Sequence, residues 1–182
     1  MTLLKSQMVP LATPAINFFL PGVDGKIYSL DSFKDKKVLV IIFMCNHCPY
    51  VKATLKRLIE IQKDYADKGV QLVGINPNDE ITYPEDSFDN MKKVAREKGI
   101  PFPYLMDQTQ EIARKYNAVC TPDIFVYGPE RKLLYRGRID DNWQVEEAVK
   151  KKDLRQAIDA VLNNKPVPAE QYPSMGCSIK WG

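Results

Sequence analysis

Residues 43–52 read Phe-Met-Cys-Asn-His-Cys-Pro-Tyr-Val-Lys and set Cys45 and Cys48 two residues apart around His47, the chain's single histidine. Three chemistries suit such a group. A structural zinc site needs four ligands, commonly two close pairs, because the ion is tetrahedral and must be enclosed. Cys120 and Cys177 stand apart instead, and a His47 ring in the spacer would point away from an ion held by both neighbours. Two buried, inert thiols are the plain structural alternative, since cysteine packs as a small hydrophobe. The third is a redox couple, and the flanking sequence favours it.

The flanks place the pair between a strand and a helix. Residues 38–43, VLVIIF, form a continuous β-branched run that reads as a strand buried on both faces. Pro49 suits the first turn of a helix, and Val51, Leu55, Leu58, Ile59 and Tyr65 recur at helical spacing up to Gly69. A thiol at that junction meets the helix N–H groups and the positive end of its dipole, which favour a thiolate. Cys45 is therefore expected to have a lowered pKa, with a protonated His47 as a further tuning cation. Two intervening residues let the second thiol attack a mixed disulfide and release the substrate.

The rest of the chain supplies a scaffold. Residues 70–76, VQLVGIN, make a second buried strand, so strand, helix and strand form a parallel βαβ unit. A helix over Phe88, Met91, Val94 and Ala95 stops at Gly99; a short strand in IPFPYLMD and a short helix in QEIARKYN follow. DIFVYGPERKLLYRGRI reads as an antiparallel hairpin, and Leu154, Ala157, Ile158, Val161 and Leu162 define a last amphipathic helix. Upstream, INFFLPGVDGKIYSL reads as a small hairpin turning at GVDG. Beyond residue 163 the prolines and lost periodicity predict a tail running extended over the surface. The expected organisation is one domain over 1–163 with a packed tail over 164–182.

Composition narrows the function. The 182 residues are 45% hydrophobic and 27% charged, enough for a self-sufficient core. A net charge of +3 with dispersed basic residues gives no nucleic-acid stripe. The amino terminus lacks the apolar centre of a secretory signal, and the longest apolar run is too short to span a bilayer. The expectation is a cytoplasmic protein without membrane association, where cysteines serve catalysis rather than stapling.

With these residues in view, the chain resembles the thioredoxin-fold superfamily: C-x-x-C at a strand–helix junction, Thr121-Pro122 before a core strand, then a hairpin and a terminal helix. YPEDS, CTPD, GRIDD and GCSIKW resemble bacterial peroxiredoxin-like, AhpC/TSA-related members with a C-x-x-C motif. The resemblance implies an α/β thioredoxin fold, a central mixed sheet flanked by helices, with an N-terminal β-hairpin and an extended C-terminal tail. It implies that Cys45 is the exposed nucleophile and Cys48 the resolving thiol. It also implies that Pro122 is cis, with the Thr121 backbone placed to pair with an extended substrate. Two departures stand out. Leu39 occupies the place of the buried acid of efficient thioredoxins, six positions before the nucleophile. Val38 and Ile42 occupy those of the peroxiredoxin proline and threonine.

The expected function is thiol–disulfide exchange by Cys45 and Cys48 with substrate disulfides or thiols, using no metal or organic cofactor. A reducing partner such as a thioredoxin or glutathione system would recharge it. A thiol peroxidase with Cys45 as the peroxidatic residue and a redox-inert binding domain are the alternatives. Cys120, two residues before Pro122, and Cys177 in the tail are possible additional redox thiols. Tyr83, Asp86, Arg138 and Asp140 fall in the group-like motifs, but turns and caps explain them equally well, so they receive no role.

Overall fold

The computed structural model describes residues 2–182; Met1, counted in the first unit expected above, lies outside the described residues. Strand β4 (Val38–Phe43) is the axis of the fold, with all six residues buried. It pairs in parallel with β5 (Val70–Asn76) and antiparallel with β8 (Asp123–Tyr127). β6 (Tyr104–Met106) and β9 (Leu133–Arg136) complete a five-stranded mixed sheet in the order β6-β5-β4-β8-β9. Strand alternation sends Val38, Val40 and Ile42 into one apolar cluster and Leu39, Ile41 and Phe43 into another.

Helices cover both faces. The first cluster takes in α1 (Pro49–Tyr65), α2 (Phe88–Lys98) and α4 (Asp153–Leu162) through Leu58, Met91 and Leu154. The second takes in α3 (Glu111–Lys115) and the N-terminal segment through Ile112 and Phe18. Pro49 opens α1, where its missing N–H costs nothing. Gly99, at φ 64°, ends α2 in the left-handed conformation that glycine adopts without a Cβ penalty. The small N-terminal hairpin is present as β2 (Leu20–Pro21) against β3 (Ile27–Tyr28). No described helix is long and apolar enough to cross a membrane.

The tail departs from the expected surface course. Residues Met175–Ser178 form β10, the middle strand of a separate sheet between β1 (Leu3–Lys5) and β7 (Cys120–Thr121). Gly176 permits this: a Cβ there would come within 1.9 Å of the Thr121 carbonyl oxygen. Past β10, Ile179 is buried in the second cluster, while Trp181 stays 41% exposed over the Arg114 guanidinium. Two residues of the GRIDD motif act in packing. Asp140 accepts two hydrogen bonds from buried Arg57, and Arg138 pairs with Asp153 at the start of α4.

Candidate active site

Cys45 and Cys48 sit in the turn between β4 and α1, and Cys48 is the residue immediately before the first helical position. The two sulfurs are near enough that each shifts the other's ionisation. Across from them the Thr121–Pro122 peptide is cis, as the resemblance implied. Cys45 Sγ lies 3.5 Å from Thr121 Oγ1, and Cys48 Sγ lies 3.2 Å from the Thr121 carbonyl oxygen. The fold thus brings Cys45, Cys48, Thr121 and Pro122 together from segments more than seventy residues apart.

Asp86 and Tyr83 join this group, and the sequence reading gave them no role. Asp86 is 0% exposed. Its Oδ1 accepts the Asn46 backbone N–H at 2.7 Å, and its Oδ2 accepts Asn78 Nδ2 at 2.8 Å. The His47 Nδ1 rests against the same Oδ2. Tyr83 stacks on the His47 ring, with centroids 5.7 Å apart and planes 5° from parallel. Tyr104, fully buried, donates to Asn46 Oδ1 at 2.8 Å and fixes the spacer from below. A carboxylate followed by serine in a polar loop carries no sign of burial; the YPEDS motif was the only available signal.

This arrangement reverses the expected ionisation. Cys48 occupies the position before the helix, and although its side chain makes no capping hydrogen bond, the Val51 N–H favours charge on Cys48, not Cys45. The Cys45 thiol, the Cys177 thiol and that N–H all favour charge on Cys48, so its pKa is lowered despite burial and the facing Thr121 carbonyl. Cys45 is pushed well above the ordinary thiol range by the Cys48 sulfur, by burial and by the Asp86 carboxylate. Nor is His47 a bare tuning cation, because its ring is held on a carboxylate.

Cys45 is also not exposed: it is 2% accessible, beneath the spacer and the Thr121 loop. It forms the end of a groove of about 900 Å³ between α1 and α2. Val51, Leu55 and Ile59 give that groove an apolar wall, and charges of both signs line it, Lys52, Lys56 and Lys93 with Glu60, Glu85 and Glu97 among them. On the other side, Pro122 borders a smaller cleft with Tyr50, Trp143 and Arg138. Cys45, His47 and Asp86 each bring one potential metal-ligand atom within 4.8 Å of the others. Both Asp86 oxygens already accept hydrogen bonds there, so a cation would have to displace existing partners.

The remaining thiols divide. Cys177 lies directly across from Thr121 in the β7–β10 pairing and shares an apolar cluster with Cys48, whose sulfur acts on its ionisation. Cys120 faces the Pro122 carbonyl at 3.8 Å, and burial pushes its pKa up. Beside it, Asp123 is fully buried; its Oδ2 accepts Val119 N–H at 3.4 Å, and its Oδ1 has no hydrogen-bond partner among the described residues. Burial raises this carboxyl well above its usual pKa. The native state therefore binds this proton more tightly than the unfolded chain does. The resulting stability is full below about pH 4 and is lost as pH rises through the folded pKa. Asp123→Asn, which cannot ionise, is expected to be more stable than the parent at neutral pH. The gap should close below about pH 4; parallel urea-midpoint profiles for the two proteins would contradict this.

A profile of the AhpC/TSA family matches residues 11–136, a span holding both the dithiol and Pro122. The chain belongs to the AhpC/TSA family. The matched span stops before α4 and β10. Among solved structures, this AhpC/TSA member is 47% identical to an uncharacterized conserved protein of Geobacillus kaustophilus, with a TM-score of 0.96 over 100% of this chain and 97% of that one. It is 20% identical to the thioredoxin domain of a thiol-disulfide oxidoreductase from Bacteroides vulgatus, with a TM-score of 0.61 over 70% and 88% of the two chains. The fold is the thioredoxin fold. A curated relative, the thiol-disulfide oxidoreductase ResA of Geobacillus thermodenitrificans, is 20% identical over 161 residues, covering 86% of this chain and 81% of that protein.

Proposed function

We propose that this AhpC/TSA member is a cytoplasmic thiol–disulfide oxidoreductase acting through Cys45 and Cys48 without a metal or organic cofactor. The observation that carries the reading is the thiol pair at a helix start, both sulfurs set against Thr121 beside a cis Pro122. The low-identity relatives named thiol-disulfide oxidoreductase agree with it.

A substrate disulfide approaches through the groove that ends at Cys45. Cys45 attacks one substrate sulfur, and its proton passes to the neighbouring Cys48 thiolate. The other substrate sulfur leaves as a thiolate. Cys48 then loses that proton to the departing group and attacks Cys45, which releases the second substrate sulfur as a thiolate that takes its proton from water, and closes the Cys45–Cys48 disulfide. Substrate gains two electrons, and the protein is oxidised by two. In this scheme Cys48 holds the proton for which Leu39 offers no acid. A thiol-reducing partner recharges the pair.

Cys48→Ser, expressed in its own cell, tests the scheme. Without the resolving thiol, Cys45 is expected to accumulate as mixed disulfides with its substrates, and mass spectrometry identifies them. If no adducts form and peroxide quickly oxidises Cys45, the second reading gains: a thiol peroxidase in which Cys45 becomes a sulfenic acid. One observation favours that reading, since Thr121 Oγ1 sets a hydroxyl 3.5 Å from Cys45 Sγ, although Ile42 supplies none.

A further inference from the structure

The sheet edge at Thr121, expected to receive a substrate strand, is already occupied by the chain itself. β10 pairs antiparallel with β7, aligning Cys177 with Thr121 and Ser178 with Cys120. The Gly176 backbone is pressed against the Thr121 carbonyl, where no side chain fits. β1 holds β10 from its other edge, and Ser174 Oγ donates to the Pro122 carbonyl at 2.6 Å. Cys177 is 3% exposed and packs in one apolar cluster with Cys45 and Cys48. Cys48 Sγ lies 3.2 Å from the carbonyl of Thr121, the residue that Cys177 faces across the pairing, so Cys48 has both Cys45 and Cys177 as thiol neighbours in that cluster.

We propose that Cys177 is a third redox residue, and that the tail strand acts as a built-in substrate whose thiol takes Cys48 from the Cys45–Cys48 disulfide. The proposal rests on the dithiol reading above. Cys177 sulfur attacks Cys48 Sγ; the Cys45–Cys48 bond breaks, the Cys48–Cys177 bond forms, and the Cys177 proton passes to the departing Cys45. One disulfide is exchanged for another, so no outside oxidant or reductant enters the step. Cys45 returns to the thiol state at the end of the groove, and the tail becomes covalently fastened to the first turn of α1.

The ionisation of Cys177 supports this order of events. Burial and the charge on the Cys48 sulfur hold its pKa up to about 12 in the reduced protein. Oxidising Cys48 removes the second of these, so Cys177 becomes a better nucleophile only once there is a disulfide for it to attack.

Disulfide mapping decides the matter. The reduced full-length protein is oxidised with one equivalent of diamide and quenched with acid. It is then unfolded with N-ethylmaleimide and analysed by peptide mass spectrometry without reduction. The expected result is a Cys48–Cys177 cross-link with maleimide on Cys45, absent from Cys177→Ser, where the Cys45–Cys48 bond alone remains. Cys45→Ser, which cannot form the disulfide that Cys177 attacks, should give little of the Cys48–Cys177 bond at the same diamide dose; an undiminished yield there overturns the relay. A Cys45–Cys48 bond alone in the wild type, with maleimide on Cys177, overturns the relay, as does a Cys120–Cys177 bond. Failure of Cys177→Ser to form any Cys45–Cys48 bond counts instead against the dithiol reading itself.

Discussion

Asp86→Ala is expected to cost the fold about 2–6 kcal/mol, the scale for leaving two buried donors unsatisfied. The carboxylate is inaccessible and serves the Asn46 backbone N–H, the Asn78 amide and the His47 ring at once. Alanine strands the Asn46 N–H and the Asn78 amide, and each buried donor left unmade costs about 1–3 kcal/mol. Asp86→Asn keeps one oxygen and most of the shape, so it should cost clearly less. Urea denaturation of the reduced proteins measures both, and wild-type stability in the alanine variant would refute the network. The asparagine variant carries a second readout. Cys45 is held up by the Cys48 sulfur, by burial and by the Asp86 carboxylate, so removing that charge is expected to lower the Cys45 pKa. Alkylation of Cys45 against pH should then shift to lower pH.

Gly176→Val is expected to undock the tail. Even the first side-chain carbon would lie 1.9 Å from the Thr121 carbonyl oxygen and 2.6 Å from its carbon, so backbone rather than a flexible side chain would have to yield. Overpacking of this kind costs about 1–3 kcal/mol. The β7–β10 pairing is the cheapest structure to surrender, because the main sheet does not include it. Native-state proteolysis should then cut within residues 164–182, and maleimide should label Cys177 without denaturant. A tail as protected as in the parent would show that β10 tolerates the side chain by other means. Undocking also frees the Thr121 edge for a substrate strand. Reduction of extended peptide disulfides is therefore expected to rise in the variant, while the Cys48–Cys177 cross-link is lost.

The elements that could be read in the sequence are those that declare themselves locally. VLVIIF, the 49–65 periodicity with its leading proline, and the glycines at 69 and 99 each carry their structure within a few residues. The thiol spacing and the proline after Thr121 carried the site in the same way. What escaped depends on distant partners. Leu3–Lys5 and Met175–Ser178 are short strands without alternation, and each exists only because the other and Cys120–Thr121 lie alongside. Asp86 looks like a solvated loop acid until Asn46 and His47, forty residues upstream, close over it. The choice of sulfur facing the helix N–H groups was a different kind of miss. With Pro49 at the first helical position, Cys48 must precede the helix, and the third helical N–H belongs to Val51. That signal lay in the sequence.

Because β10 lies so far along the chain from the thiols it covers, a ribosome delivers the reactive pair well before its cover. At about 5–20 residues per second, synthesis leaves Cys45 and Cys48 without the strand for several seconds. During that interval the Thr121 edge, once made, has no occupant. A newborn molecule thus passes through a stage in which the Thr121 edge stands uncovered, before its own tail closes over it.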